Sequence, residues 1–156
     1  MIENTMNSRA TLKIPELLAP AGTMEKLITA IHYGADAVYL GGSDYSLRAG
    51  AGNFTDQEIS KAVAYAHERE VKVYITVNIF AHNRDLKQFT EHLRSLQDTG
   101  ADGLIVADPG ILLLCKETIP DMLVHLSTQA NVTNSTVFAS GHLRACGEST
   151  LLVSWA

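Results

Sequence analysis

The chain has 156 residues, 46% of them apolar and 19% charged, with a formal net charge of −5. That length suits one domain with a buried core, and the charge excludes a general pull toward nucleic acid or anionic membrane, though not a local basic patch. Two cysteines, Cys115 and Cys146, give neither a disulfide scaffold nor metal-ligand spacing.

Residues 1–13 are polar and aperiodic and read as a flexible leader, without the apolar core of a secretory signal. A first short strand is predicted from Glu16 to Ala19, turned by Pro20-Ala21-Gly22 toward a helix that Thr23 caps. Met24, Leu27, Ile28 and Ile31 fall on one helical stripe. Strand two is predicted over Ala37 to Leu40, followed by a glycine-rich loop from Gly41 to Phe54. Thr55-Asp56-Gln57-Glu58 reads as a capping box, opening a helix with Ile59, Ala62, Val63 and Ala66 inward.

Strand three, Val71 to Val77, is rich in β-branched residues and reads as central. The third helix is predicted from about Arg84 to Asp98, with Leu86, Phe89, Leu93 and Leu96 inward. Strand four is Gly103 to Val106, and Asp108-Pro109 opens a fourth helix carrying Ile111, Leu112, Leu114 and Cys115. Strand five is Leu123 to Ser127. One phrase occurs twice. Tyr33-Gly34-Ala35-Asp36-Ala37-Val38-Tyr39-Leu40 returns 66 residues later as Thr99-Gly100-Ala101-Asp102-Gly103-Leu104-Ile105-Val106. Each copy reads as a helix end, a glycine stop and a buried strand. The spacing equals two strand–helix units of about 33 residues. Strict alternation of β and α predicts an all-parallel sheet.

After Asn134 the pattern fails, and 137–156 reads as an irregular tail with two interior glycines. One reading is an ordinary irregular terminus. The other is a one-base frameshift near Phe138, because synonymous codons for this stretch can spell, one frame over, a further helix end, glycine stop and strand.

In a parallel β/α fold, ligands meet the C-terminal ends of the strands. That rule selects Pro20, Gly22, Gly41, Gly42, Arg48, Asn53, Asn78, His82, Asp108, Ser127, Gln129 and Asn131. Arg48 is the sole cation between Ser43 and Asp56; it either offers a planar fork to an anion or braces the loop. Asn78 either binds a ligand or caps loop backbone. Helix capping accounts for Asp108 by itself. Ser127 and Gln129 are predicted on one face of strand five, with Thr128 on the other. His32, His67 and His92 are expected on helices in solvent, His125 on either layer of strand five, and Cys115 in packing. No protease triad or dyad, zinc spacing or phosphate-loop pattern is present in the sequence.

The runs Pro15-Glu16-Leu17-Leu18-Ala19-Pro20-Ala21-Gly22 and Tyr33 to Gly42 resemble the opening of peptidase family U32, the collagenase-like proteases. Ser46-Leu47-Arg48-Ala49, Gly52-Asn53-Phe54, Asn78, Ala107-Asp108-Pro109-Gly110 and His125-Leu126-Ser127-Thr128-Gln129 continue the match, which covers about residues 14–136. The resemblance implies an incomplete (β/α)8 TIM-type barrel of about five parallel strands and four helices. It implies a parent that hydroxylates tRNA or rRNA bases, or acts as a peptidase as classified. It also implies an iron–sulfur cluster on cysteines in a later part of the parent, with no cofactor in the present stretch. Arg48, Asn53, Asn78, Asp108, Ser127 and Gln129 match family positions and are expected to bind substrate, with no catalytic role assigned. The expected partners are an RNA or peptide substrate for the parent, with self-association through the open sheet edge and no membrane; the expected location is cytoplasmic. A piece this short is expected to be inactive alone, and the alternative is a non-catalytic half-barrel that pairs with itself or a partner chain.

Overall fold

A computed structural model describes residues 15–43, 53–79 and 81–131. The leader, Arg48 and the 137–156 tail lie outside the described residues. Five strands and four α-helices alternate: β1 Leu18–Pro20, α1 Met24–His32, β2 Ala37–Gly41, α2 Asp56–His67, β3 Lys72–Val77, α3 Leu86–Asp98, β4 Gly103–Val106, α4 Pro109–Thr118 and β5 Leu123–Leu126. All four ladders are parallel, in the order β1-β2-β3-β4-β5. A parallel order that follows the sequence is the winding of a β/α barrel.

The apolar stripes explain the layers. Leu27 and Ile31 of α1, Ile59, Ala62, Val63 and Ala66 of α2, Phe89, Leu93 and Leu96 of α3, and Ile111, Leu112 and Cys115 of α4 are buried. They pack on Val38, Leu40, Val73, Ile75, Val77, Leu104, Val106, Val124 and Leu126, the outward residues of the strands. The opposite, inner face carries Ala37, Tyr74 and Ile105, with Leu18, Tyr39 and Leu123 packed on them. The Tyr74 ring of β3 meets His125 of β5 edge-on at 4.6 Å between centroids. Strands two places apart in a flat sheet are separated by about 9.6 Å, so this contact across β4 fits a sheet concave on the inner face. His125, left open by the sequence, belongs to this inner layer.

The repeated Gly-Ala-Asp has a structural purpose that the sequence did not disclose. Gly34 and Gly100 take φ of 88° and 80° at the exits of α1 and α3, in the left-handed region where glycine meets no Cβ penalty. The aspartate two residues later clamps the preceding strand. Asp36 accepts the Leu17 N–H on its carboxylate at 2.7 Å and donates its own N–H to the Leu17 carbonyl at 3.0 Å. Asp102 repeats both bonds with Val73, at 2.7 and 2.9 Å. The exit of α2 makes the same stop without glycine. Glu70 takes φ 58°, and the Val71 N–H reaches the Ala66 carbonyl as the Ala35 N–H reaches that of Ala30.

Two expectations need correction. His67 is not merely solvated: its Nε2 lies 2.8 Å from Asp102 Oδ2, tying α2 to the second copy of the phrase. Ser127 and Gln129 do not share a strand face. β5 stops at Leu126, and Thr128–Ala130 form a single 3-10 turn. The Ser127 hydroxyl accepts the Gln129 N–H at 3.3 Å and Asn131 turns left-handed, so strand alternation ends one residue earlier than the sequence implied.

Candidate substrate-binding mouth

The C-terminal strand ends form the mouth of the curved sheet. Asn78 follows Val77 in β3, and Ser127 follows Leu126 in β5; strand alternation sets both with the inner row of Tyr74 and His125. Their side chains meet over β4, the Asn78 Nδ2 donating to Ser127 Oγ at 3.2 Å. Ser127 is buried at 6% exposure. The Asn78 Oδ1 is buried too, with no hydrogen-bond partner among the described residues. An amide oxygen so placed costs about 1–3 kcal/mol until it is satisfied. The mouth therefore holds an anchored polar pair with unspent hydrogen-bonding capacity.

The other expected residues sit elsewhere. Asp108 caps α4, its Oδ1 accepting the Ile111 N–H at 2.9 Å. Gln129 is exposed on the turn after β5. Asn53 lines a cleft of about 250 Å³ with Gly22, Thr23, Met24, Phe54, Glu58 and Lys61, where the starts of α1 and α2 approach each other. Phe54 closes the glycine-rich loop onto β2, exchanging backbone bonds with Ser43 and Gly41 at 2.8 and 2.9 Å. The structure thus brings the Asn78 and Ser127 side chains together with the Gln129 N–H, engages Asp108 Oδ1 as a helix cap and sets Asn53 in the cleft between α1 and α2; Arg48 lies outside the described residues.

What the pair can do follows from its bonds. A serine nucleophile needs a neighbouring base to take its proton. Ser127 Oγ instead receives hydrogen bonds from the Asn78 amide and the Gln129 N–H. Such an arrangement can hold and orient a ligand through the Ser127 O–H and the Asn78 Oδ1.

The inner face also carries a polar group that sequence reasoning missed. The Tyr74 hydroxyl donates to Glu16 Oε1 at 3.0 Å, and Lys72 Nζ lies 3.1 Å from Glu16 Oε2. Burial, reinforced by Glu16, holds the Tyr74 phenol above the ordinary tyrosine range. Strand direction puts Glu16 and Lys72 at the end opposite the mouth, where this trio braces the sheet. Period-two geometry puts Tyr74 on the face opposite Val73 and Ile75, but nothing in the sequence indicated its partner 58 residues away.

Among the described residues no group of three or more His, Cys, Asp or Glu is placed to hold a metal ion, and Cys115 is buried on α4. These residues do not fit an iron–sulfur cluster. No helix among them is long and apolar enough to cross a membrane.

The sequence profile of peptidase family U32 matches residues 22–142. The chain belongs to peptidase family U32. A relative, tRNA hydroxylation protein P1 of Bacillus subtilis (strain 168), is 49% identical over 126 residues, covering 81% of this chain and 30% of its own. The 23S rRNA 5-hydroxycytidine C2501 synthase of Escherichia coli (strain K12) is 38% identical over 117 residues, covering 75% of this chain and 17% of its own. The chain thus spans less than a third of the length of either relative. The solved structure of the U32 peptidase Mk0906 superposes with a TM-score of 0.66 at 17% identity, covering 94% of this chain and 59% of that one. The architecture is that of a TIM-type barrel carrying five of its strands.

Proposed function

We propose that this U32 chain is the substrate-facing first part of an RNA-modifying enzyme that hydroxylates a base of tRNA or rRNA. The observation that carries the reading is the 49% identity to a tRNA hydroxylation protein over 126 residues, and the mouth pair Asn78–Ser127 lies within the family match at 22–142. A flat heterocycle with amide-like edges suits that pair. The Asn78 amide presents an acceptor beside a donor, and the buried Oδ1 gains a partner when a ligand N–H arrives. Hydroxylation itself calls on chemistry the described residues do not supply. We assign binding and orientation to this chain, and we place any iron–sulfur cluster on residues beyond those described. The setting is the cytoplasm, where the RNA is.

The test is mass spectrometry of nucleosides from tRNA and rRNA of cells with and without the gene. A hydroxylated nucleoside that vanishes on deletion and returns with the intact gene supports the reading; an unchanged nucleoside profile sinks it. A second reading, pairing of this chain with itself, has the consecutive strand order in its favour, since β1 and β5 are the outer strands of the described sheet. Light scattering of the purified chain reports it directly: a dimer mass supports pairing and a monomer mass removes it.

A further inference from the structure

All four helices run the same way, so their positive N-terminal poles gather at the mouth and their negative poles at the opposite end, the base. Side-chain charge follows the same division. At the base, Glu68, Glu70, Asp98, Glu117 and Asp121 stand exposed at or just past the helix ends. At the mouth, carboxylates are drawn into helix starts: Glu58 accepts the Thr55 N–H, Asp85 that of His82 and Asp108 that of Ile111. Glu25 and Asp56 remain exposed there, on α1 and α2. The β3–α3 loop is different. His82 and Arg84 are exposed on it and Lys87 on the first turn of α3; the Arg84 side chain is 82% exposed, with its Nε 3.5 Å from Asp85 Oδ1. α3 has no acidic residue in its first turn. Asn78 opens that same loop.

We infer that the negative net charge of the chain is largely a property of its base, and that the β3–α3 edge of the mouth is the docking surface for an RNA phosphate backbone. Arg84 and Lys87 neutralise phosphates there while a base enters beside Asn78. The inference rests on the RNA reading above and adds the face and the contacts. A polyanion approaching this field is turned mouth-first and repelled from the base.

The experiment uses the full chain and a fluorescein-labelled RNA hairpin with unpaired pyrimidines in its loop, followed by anisotropy across a salt series. Two charge-matched double variants are compared, Arg84→Glu with Lys87→Glu at the mouth and Arg69→Glu with Lys116→Glu at the base, each checked by circular dichroism. The expected result is a weakening of about tenfold or more, with a shallower salt slope, for the mouth variant, and a change under about twofold for the base variant. If the glutamate variant misfolds, Arg84→Gln with Lys87→Gln is expected to weaken binding by a smaller factor in the same direction. Equal losses at both ends, or a larger one at the base, overturn the docking surface while leaving the RNA reading in place. No binding by the unaltered chain overturns the docking surface as well, and the nucleoside profile then decides the function separately.

Discussion

Gly103 stands where the first copy of the repeated phrase has Ala37, and the exchange has a steric cause. A Cβ on Gly103 would lie 2.7 Å from the Leu123 carbonyl oxygen, closer than real side chains come to backbone. Gly103→Ala must displace β5, and with it Ser127, at a cost of about 1–3 kcal/mol; chemical denaturation of the variant measures this. Tyr74 offers a spectroscopic check. Its neutral form is favoured on folding, so its contribution is whole below the ordinary tyrosine value of about 10 and fades as pH climbs toward the higher folded value. In an alkaline titration followed at 295 nm, the Tyr74 phenolate should form last, and Tyr74→Phe should delete that late step. A Tyr74 that ionises with the exposed tyrosines would refute its burial against Glu16 and His125. The fold sets this side chain inward, and its bond to Glu16 depends on how β1 and β3 are brought together, which no local pattern records.

At the scale of elements, the aspartates of the repeated phrase are joints between a helix exit and the neighbouring strand. Asp102 receives both the Val73 N–H and His67, whereas the corresponding carboxylate of Asp36 receives the Leu17 N–H. Asp102→Ala is expected to cost about 1–3 kcal/mol, and His67→Ala less, because that side chain is 42% exposed. Thermal melts of the two variants and their double mutant measure the coupling; strict additivity would show that the 2.8 Å contact contributes nothing. The strands, the helix stripes and the capping box at Thr55 were all legible, because each is written in residues adjacent in sequence. The turn after β5 was not. Ser127 looks like one more strand residue until its hydroxyl captures the Gln129 N–H, and a competition between side-chain and ladder bonding leaves no periodic trace. At the α2 exit, Glu70 holds a left-handed conformation that its residue type does not advertise.

For the whole molecule, the parallel winding has one functional consequence: it collects residues from distant segments at one rim. The rule that ligands meet the C-terminal strand ends supplied a list of candidates, and the fold selected among them. Asn78 and Ser127 are 49 residues apart and bonded. Asp108 Oδ1 caps α4, the Gln129 side chain is exposed while its N–H bonds Ser127, and Asn53 lines a cleft between the starts of α1 and α2. Family membership was readable because U32 motifs recur in order along the chain, whereas the Asn78–Ser127 pairing depends on the curvature of the sheet across β4. The measurement that tests the account most directly is the hydroxylated-nucleoside content of RNA from cells whose gene carries Asn78→Ala, scaled to the amount of protein present. That content is expected to fall about tenfold or more, the loss of one well-placed polar contact to substrate. Full modification by the variant, in cells where deleting the gene abolishes it, would contradict the assignment of the mouth pair to substrate.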